Sequence, residues 1–598
     1  MLICVGVCPA TELNVAGDGK DGNSGKKKAP LRTIQRAAEL AQPGDVITVH
    51  AGIYRECVNP VRGGLSDKKR IVYQAAKGEK VVITGSEAVK GWAKIQDDTW
   101  KVTIPNSFFG SFNPYSDLIH GDWFDANGRQ HHTGAVYLNG EWRVEAVKLE
   151  DVLKPVGGEP LWFGQVDKDN TTVWAQFKGV DPNEAAVEIN VRQTVFTPEK
   201  TGINYITVRG FDLRNGAPPW APPTAKQMGI ISALWCKGWI IEDNEISYSK
   251  CSGVALGKYG DEWDNRAESA EGYVGTLNRA LTNGWNKATV GSHIVRNNHI
   301  HHCDQTGVVG SLGCSFSSVT GNVIHDIHLT KLFGGAEMAG IKFHGAIDVT
   351  ISRNHIYRCG DVSGIWLDWM GQGAQITGNL LHDNNGWAGD LFLEMQHGPL
   401  LVANNLFLSK ARIYMNSKGI AFVNNLITSP VAQEHHDGRL TPFHKPHTTE
   451  VAGLQDAKNG DQRFYNNVIV APASLIGLDN AMLPCFAAGN VFIKGAQPSK
   501  FDVEALLKPD FDAGLKLTEK ADGWYLSIRQ DKGWSSEVKR KLVTTELLGK
   551  AAVPNLPYEE FDGSALNINT DYFGKKRDKM NPFPGPFATA GEGEFKVW

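Results

Sequence analysis

Three short segments of this chain end in side chains that could do acid–base chemistry. They are GIKFH (340–344), GIWLD (364–368) and DLFLE (390–394). In each segment positions two and four are apolar and position five is ionisable. Side chains alternate between the two faces of a β-strand, so positions two and four would point inward and position five outward. The outward residues are then His344, Asp368 and Glu394.

The spacing of two of these residues predicts a catalytic carboxyl pair. Neighbouring parallel strands lie about 4.8 Å apart, so Asp368 and Glu394 would sit side by side at one register. Two like charges this close do not both ionise readily, so one pKa should rise and the other stay low. That asymmetry suits an acid/base and a nucleophile. A separation of about 5 Å is typical of retaining glycosidases, because inverting enzymes need room for a water molecule.

Position three of the same segments adds a cation and two rings. Lys342, Trp366 and Phe392 also point outward and would flank the carboxyl groups. Two plainer interpretations remain. Outward carboxylates on a β-sheet surface are often merely solvated, and stacked acids can bind Ca²⁺, which prefers oxygen ligands.

The elements that must position these residues form a repeat. Nine segments end in an Asn followed by a hydrophobic residue, at Asn244, Asn298, Asn322, Asn354, Asn379, Asn405, Asn425, Asn467 and Asn490. The gaps between them are 54, 24, 32, 25, 26, 20, 42 and 23 residues. A minimum near 20 with occasional excess indicates solenoid coils with inserted loops. Stacked coils would align the Asn side chains in a hydrogen-bonded ladder, which sets the register.

The solenoid period is interrupted once. We predict an all-β fold, a right-handed parallel β-helix with an inserted antiparallel β-sandwich. Residues 1–87 hold an N-terminal cap helix (31–41) and the first β-helix strands, 88–198 the sandwich, and 199–598 the main β-helix with a C-terminal tail. Two excess loops, around 258–290 and 428–460, are expected to shape the binding face.

Composition excludes several classes of function. The formal net charge of −4 gives no reason to expect nucleic acid or an anionic membrane as partner. We find no apolar run long enough to span a bilayer. The start, MLICVGVCPA, has no basic residue before its apolar stretch, so it is a poor signal peptide or the remnant of one. A cytoplasmic location is expected, with periplasmic or secreted locations as alternatives.

Cysteine and histidine spacing gives no metal or disulfide signal. The nine Cys are odd in number and lack paired spacing, and no C-x-x-C or H-E-x-x-H pattern occurs. We expect no metal at the site and no cofactor, with structural calcium as the alternative.

Longer motifs give the chain a family resemblance. They are PNSFFGSFNPY (105–115), GDW (121–123), PPWAPPTA (218–225), KGWIIEDN (237–244), EMAGIKFHGAIDV (337–349), WLDW (366–369), FLEMQHGP (392–399), HKPHTTEVAG (444–453) and the terminal KVW. Over nearly the whole chain they resemble the glycoside hydrolase family 120 β-xylosidases. One departure is local: the stretch 382–392, which carries Trp387, looks slightly longer than is usual in the family.

The resemblance implies a function and roles. It implies a retaining enzyme acting on short β-1,4-xylo-oligosaccharides, with Asp368 as nucleophile and Glu394 as acid/base. It also implies a homotetramer that associates through the sandwich. Substrate-binding candidates are His344, Glu337, Lys342, Trp123, Trp366, His397 and Glu450. The loop from Asn106 to Trp123 is rich in Phe, Pro and Gly, and we expect it to meet another surface.

An exo-acting β-xylosidase is therefore the first hypothesis, and three rivals stay open. A retaining glycosidase for another sugar, such as an arabinofuranoside or fucoside, would use the same carboxyl pair. A polysaccharide lyase would want a basic cleft, whereas this column is acidic and aromatic with only Lys342. A carbohydrate-binding or adhesin solenoid would need rings but no paired acids. Fold alone does not choose among these rivals.

Overall fold

The computed structural model describes residues 10–154 and 157–598, and it is built mainly of short parallel strands. Residues 1–9, most of the apolar start discussed above, lie outside the described residues. The chain divides into two compact units. The first comprises Met1–Arg266, His293–Val309 and Leu329–Glu337, and the second comprises Ala267–Ser292, Gly310–His328 and Met338–Trp598.

The described strands of the first unit's solenoid form three parallel sheets. The first sheet contains Glu12–Val15, Val46–Val49, Ile71–Ala75, Ile206–Arg209, Ile240–Glu242 and Ile294–Arg296. The second contains Gly52–Tyr54, Val81–Thr84, Asp212–Arg214, Glu245–Ser249 and His299–Cys303. The third contains Gly229–Ser232, Ser252–Ala255 and the first four residues of Thr306–Ser311. Successive coils pair in register, as Tyr73 with Val208 and Val208 with Ile241.

The second unit repeats this arrangement. Its first sheet contains Ser318–Thr320, Thr350–Ser352, Gln375–Thr377, Leu400–Ala403, Ile420–Val423, Arg463–Tyr465 and Phe486–Ala488. Its second contains Val323–Ile327, His355–Cys359, Leu380–His382, Leu406–Phe407, Leu426–Ile427, Val468–Val470, Val491–Ile493 and Leu506–Lys508. Its third contains Ala339–His344, Ser363–Asp368, Leu391–Glu394, Ile413–Asn416 and Val431–Gln433. Three parallel sheets wound coil by coil form a parallel β-helix, as predicted.

The interior of the second unit follows from the alternation of side chains along the strands. The inward positions of the third sheet are fully buried: Ile341, Phe343, Ile365, Leu367, Leu391 and Leu393. Burying one such side chain stabilises the fold by roughly 1.5–3 kcal/mol relative to exposure. Since inward residues of successive coils stack directly, the outward residues of the same strands are held in columns as well.

The predicted Asn ladder is present within each unit. In each of the steps given below, the earlier Asn donates from its backbone N–H and its side-chain amide to the side-chain carbonyl of the Asn one coil on, at 2.9–3.1 Å. The first unit contains the step from Asn244 to Asn298. The second unit contains the steps that link Asn322, Asn354, Asn379, Asn405, Asn425, Asn467 and Asn490. Asn490 then donates to Asp502, which ends the ladder with a carboxyl group.

Two further sheets lie between Ser86 and Asn190. The four-stranded sheet contains Ser86–Ala88, Val136–Leu138, Glu141–Trp142 and Val187–Asn190, and the five-stranded sheet Ala93–Gln96, Thr99–Pro105, Val144–Glu145, Leu161–Val166 and Asn170–Gln176. Both contribute to one buried cluster, in which Val136 and Ile189 meet Trp162 and Val173. The pairs are antiparallel except that Val144–Glu145 runs parallel to Leu161–Val166. The three domain boundaries given above stay predictions.

Helices are short and few in the described chain. They are Ile34–Leu40, Leu149–Leu153, Ala270–Thr282, Trp534–Glu537 and Thr545–Leu548, with 3₁₀ turns at Asn106–Phe109 and Ile476–Asn480. The cap helix begins after Thr33, whose hydroxyl accepts from the Arg36 N–H at 3.1 Å. No helix in the described ranges is long and apolar enough to cross a membrane.

The remaining strands make small antiparallel sheets. They are Phe124–Asp125 with Gly334–Gly335, His436–His444 with Val451–Lys458, Lys516–Lys520 with Gly523–Arg529 and Glu592–Lys596, and Lys550–Ala551 with Leu556–Pro557. The C-terminal segment packs onto the second sheet of its own unit, where Leu526 and Trp534 share a buried cluster with Leu406 and Leu426. The tail therefore covers one face of the second unit's coils.

Candidate active site

A column of polar side chains runs along the outer face of the second unit's third sheet. Three pairs of residues at equal positions are in register: His344 with Asp368, Asp368 with Glu394, and Glu394 with Asn416. The predicted register of the two carboxyl groups is thus confirmed. Both side chains are buried: the relative exposure is 5% for Asp368 and 9% for Glu394.

Asp368 is surrounded by groups that favour its charged form. Lys342 Nζ donates to Oδ2 at 2.7 Å, and His344 Nε2 lies 3.1 Å from the same oxygen. The backbone N–H of Trp369 donates to Oδ1 at 2.8 Å. Burial by itself would raise the pKa of Asp368, but the charges of Lys342 and His344 and their hydrogen bonds hold it well below its usual range.

Glu394 is shifted in the opposite direction. Burial and then the negative charge of Asp368 raise the pKa of Glu394 to about 7, although the Arg439 guanidinium opposes the rise. Arg439 Nη2 donates to Glu394 Oε1 at 2.5 Å. The same guanidinium binds Asp437, whose Oδ2 also accepts from Asn416 at 3.1 Å. Near neutral pH the pair can therefore hold one proton on Glu394 while Asp368 is ionised.

Rings and a cation line one side of the column, as the sequence predicted. Lys342 Nζ lies 3.2 Å from the ring centroid of Trp366, and Trp366 stacks on Phe392 with centroids 4.7 Å apart. This cation–π contact and the ion pair to Asp368 hold the Lys342 ammonium in place from two sides. Burial lowers the pKa of His344, and the nearby Asp368 charge partly offsets that effect.

Both predicted excess loops reach the column in this unit. The helix Ala270–Thr282 brings the Tyr273 ring to 5.2 Å from His344 and 5.7 Å from Trp369, centroid to centroid. The hairpin of His436–His444 and Val451–Lys458 carries Arg439. The helix packs against the hairpin, and Thr449 Oγ1 donates to the Trp285 carbonyl at 2.7 Å. The helix therefore stands beside the His344 end of the column, and the hairpin runs along its length, with contacts to Gln372, His397 and Asn416.

Two of the other predicted binding residues, His397 and Glu450, make their contacts away from the carboxyl pair. His397 is buried against the hairpin and donates to the Thr441 carbonyl at 3.0 Å, and burial lowers its pKa to about 4. Glu450 is on the hairpin surface and pairs with Lys445 at 2.7 Å. Neither of these contacts involves the carboxyl pair.

Glu337 and Trp123 belong to the first unit. Glu337 is buried, and its backbone carbonyl accepts from Gln305 Nε2 at 3.0 Å. Trp123 is half-buried with a φ of 58°, and its carbonyl accepts from the Ala336 N–H at 3.1 Å. The short pairing of Phe124–Asp125 with Gly334–Gly335 therefore holds these two residues on adjoining segments. Their roles toward substrate stay predictions.

Arg439 and Tyr273 are the residues that sequence reasoning missed. Both belong to loops that exceed one coil, and the gap of 42 residues between Asn425 and Asn467 was the available signal for Arg439. Spacing located the insertion but not the residue within it that turns toward Glu394.

A metal-ligand geometry occurs in the first unit. Glu245, His299 and His301 each offer a ligand atom within 4.8 Å of one another. Two imidazoles and a carboxylate suit zinc better than calcium, which prefers oxygen ligands. The expectation of no cofactor, with structural calcium as the alternative, is not tested by this geometry.

Protein-family models match three parts of the chain. The family described as glycoside hydrolase 120, insertion domain, matches residues 89–161, and the family described as a right-handed β-helix region matches residues 229–427. A family of proteins of unknown function, DUF1565, matches residues 17–61.

Similar individual proteins were found among solved structures and curated sequences. The complex structure of XylC with xylose is 39% identical, covers 98% of this chain and 100% of that chain, and superposes with a TM-score of 0.92. A structure described as a glycoside hydrolase is 13% identical, covers 84% of this chain and 97% of that one, and has a TM-score of 0.46. The uncharacterized protein YwoF of Bacillus subtilis (strain 168) is 36% identical over 73 residues, which is 12% of this chain and 15% of that protein.

The chain is a right-handed β-helix with two carboxyl groups side by side on its outer face, one of lowered and one of raised pKa. With the full-length match and the insertion-domain family model, these features place it among the β-helix glycoside hydrolases. Within that class the full-length match at 39% identity and the insertion-domain model decide the family. The chain belongs to glycoside hydrolase family 120, and the resemblance carried by its motifs is confirmed.

Proposed function

We propose that this glycoside hydrolase is a retaining, exo-acting β-xylosidase that hydrolyses β-1,4-linked xylo-oligosaccharides through a covalent glycosyl-enzyme. The observation that carries the proposal is the register of Asp368 and Glu394 on adjacent parallel strands. Strands about 4.8 Å apart keep the carboxyl groups near the separation of retaining enzymes. A wider, inverting separation would need a bulge between the two strands.

The different charge states support the two proposed roles. The Asp368 carboxylate attacks the anomeric carbon while Glu394 gives its proton to the glycosidic oxygen, so the bond to the leaving sugar breaks and a xylosyl ester forms on Asp368. Glu394, now a carboxylate, takes a proton from water, and the resulting hydroxide attacks the anomeric carbon and releases Asp368. Two inversions give net retention.

The same contacts explain how Glu394 changes role. Its pKa is raised partly by the charge of Asp368. Once Asp368 is esterified that charge is gone, so the pKa of Glu394 falls and its carboxylate form becomes more favourable. Lys342 and His344 then stand ready to stabilise the Asp368 carboxylate when the ester is cleaved.

Two observations support the sugar and the exo mode. The full-length relative is described in complex with xylose. The helix Ala270–Thr282 stands at the His344 end of the column, where the Tyr273 ring packs on His344. A wall at one end favours removal of single terminal sugars. We propose that His344, Lys342 and Trp366 bind the terminal sugar. Buried polar groups that hydrogen-bond a sugar hydroxyl discriminate strongly against sugars that lack it.

The proposal includes assembly as a homotetramer through the sandwich. An inserted sandwich has strand edges that need cover, and Phe108 is 45% exposed beside the sandwich core. Phe109 and Tyr115 of the same loop are instead buried in that core.

Proton NMR of the first turnovers on a nitrophenyl β-xyloside, whose leaving group is not a sugar, tests the mechanism. A retaining enzyme releases β-xylose first, and the α anomer appears later by mutarotation. Xylotetraose should give xylose and xylotriose before any xylobiose. If α-xylose appears first, the retaining assignment is wrong, and early xylobiose from xylotetraose would contradict the exo mode.

A further inference from the structure

An exposed tryptophan stands beside the column, in the turn between Leu380–His382 and Leu391–Glu394. Trp387 has 57% relative exposure, although large apolar rings are usually covered.

The Trp387 ring is held in place despite its exposure. Its centroid lies 4.3 Å from the Tyr414 ring and 5.4 Å from the Phe392 ring. The Arg412 guanidinium lies 4.3 Å from the Trp387 centroid and 4.9 Å from the Tyr414 centroid. Arg412 Nε also donates to the Trp387 carbonyl at 3.2 Å, and the Tyr414 hydroxyl donates to Glu434 at 2.6 Å. A rigid, exposed ring loses little conformational freedom when a ligand covers it.

The position of Trp387 along the column identifies which end of the substrate it can meet. Trp366, Phe392 and Tyr414 pair in register and precede Asp368, Glu394 and Asn416 by two residues on the same face. Trp387 packs on Phe392 and Tyr414, the rings of the Glu394 and Asn416 coils. It therefore lies beyond Glu394 as seen from Asp368.

The leaving sugar must lie on that side. This step rests on the proposed function: the terminal sugar sits over Asp368, the helix Ala270–Thr282 stands at the His344 end, and Glu394 protonates the oxygen of the bond to the leaving group. The leaving group then extends from Glu394 toward the Asn416 coil, where Trp387 is exposed. Positions two residues apart on a strand are about 6.6–6.8 Å apart, roughly the length of one pyranose ring.

We propose that Trp387, supported by Tyr414 and Arg412, forms the binding site for the leaving-group sugar of the oligosaccharide. A xylopyranose has no hydroxymethyl group, so both faces of its ring present C–H bonds that pack flat on an indole. The site takes a neutral pyranose or an aromatic leaving group of similar area. It also takes an acceptor sugar when the glycosyl-enzyme is transferred to a sugar instead of water.

Comparison of two substrates with the same glycone tests the site. Xylobiose has a sugar leaving group, whereas β-xylosyl fluoride has a single atom that cannot reach Trp387. For Trp387→Ala we expect kcat/KM on xylobiose to fall about 5–10-fold, in line with one stacked ring contact, and kcat/KM on the fluoride to stay within about twofold. Trp387→Phe should recover part of the loss. With the fluoride as donor and added xylobiose as acceptor, the fraction of transfer product should fall in Trp387→Ala.

Phe486→Ala is the matched control. Phe486 is also an exposed ring beneath an arginine, Arg463 at 5.1 Å, but it belongs to the first sheet of the unit. Phe486→Ala should leave kcat/KM on both substrates unchanged. If Trp387→Ala loses activity equally on both substrates, Trp387 has a structural role and the proposed site is wrong. The proposal is also wrong if the variant loses activity on neither substrate. A wild-type enzyme inactive on both xylosides would instead refute the proposed function, and the leaving-group site with it.

Discussion

At the scale of single residues, the site depends on how a lysine, a histidine and an arginine are divided between two carboxyl groups. Lys342 and His344 face Asp368, whereas Arg439 faces Glu394, and Arg439 also neutralises Asp437. Asp368 receives the stronger stabilisation of its charge, so the proton stays on Glu394. The proposed roles of Asp368 as nucleophile and Glu394 as acid/base rest on this unequal distribution.

Removal of the proton donor should have a leaving-group signature. For Glu394→Ala we expect kcat/KM on xylobiose to fall about 10³-fold, because the departing sugar oxygen needs a proton. Activity on a dinitrophenyl xyloside, whose leaving group needs no proton, should fall far less at the glycosylation step. Added azide should speed turnover and give a xylosyl azide of retained β configuration, measured by NMR.

Asp368→Ala is the counterpart of this variant. It should lose activity on both substrates and form no β-xylosyl azide, because the covalent intermediate needs that carboxylate. If azide yields the β product with Asp368→Ala but not with Glu394→Ala, the two roles are reversed.

The pH dependence of the enzyme should follow Glu394. The form with a protonated Glu394 is the active one, so kcat/KM should fall as pH rises through about 7. Arg439 lowers the pKa of Glu394, so Arg439→Met should raise that pKa and move the alkaline limb to higher pH. The measurement is the pH profile of kcat/KM on xylobiose.

Lys445→Met serves as the control for this shift. Lys445 is an exposed cation of the same hairpin and pairs with Glu450, so its loss should leave the profile unchanged. An alkaline limb that moves to lower pH in Arg439→Met would contradict the assignment of Glu394 as the titrating acid.

At the scale of elements, the Asn ladder keeps the catalytic strands in register. Asn379 lies between the two strands that bear Asp368 and Glu394, and it is fully buried. It donates to the Ile351 carbonyl at 3.0 Å and to Asn405, and accepts from the backbone and side-chain amides of Asn354. A substitution here leaves several buried polar groups without partners.

We expect Asn379→Ala to lower the free energy of unfolding by about 3 kcal/mol, because each unsatisfied buried polar group costs about 1–3 kcal/mol. Asn385→Ala is the control, since Asn385 is exposed in the next turn, and it should change stability by less than about 0.5 kcal/mol. Urea unfolding followed by circular dichroism measures both. Equal stability of the two variants would show that the ladder contributes nothing to the fold.

At the scale of the whole molecule, the inserted sandwich is structurally separate from the coils of the solenoid. Its two sheets share their own buried cluster and contribute no strand to the three parallel sheets of the coils. Such a domain is expected to serve association, and the exposed Phe108 marks the loop where contact would occur.

Light scattering should show a species of four chains, each of 65.4 kDa. Phe108→Asp places a charge in the proposed contact and should shift this species to smaller ones at micromolar concentration. Val503→Asp, which alters a residue of 87% exposure outside the sandwich, should remain a tetramer. A wild-type enzyme that is monomeric and fully active would refute the assembly.

Much of this arrangement could be predicted from the sequence because it depends on periodicity. Alternation along each strand predicted the inward residues, the Asn spacing predicted the coils, and together they placed Asp368 beside Glu394. Residues in the same position of successive coils become neighbours by repetition, so one pattern predicts many contacts. The motifs carried the family resemblance for a similar reason, since they are local in the chain.

Only the tertiary structure decided what loops bring to the column. Arg439 lies 45 residues beyond Glu394, and Tyr273 lies 71 residues before His344. No period relates these residues, because an inserted loop folds back by its own turns and by packing, as the helix Ala270–Thr282 does on the hairpin. Spacing alone also left open which carboxyl group holds the proton. That choice depends on burial and on the distances of Lys342, His344 and Arg439 from the two carboxyl groups, and these are properties of the folded chain.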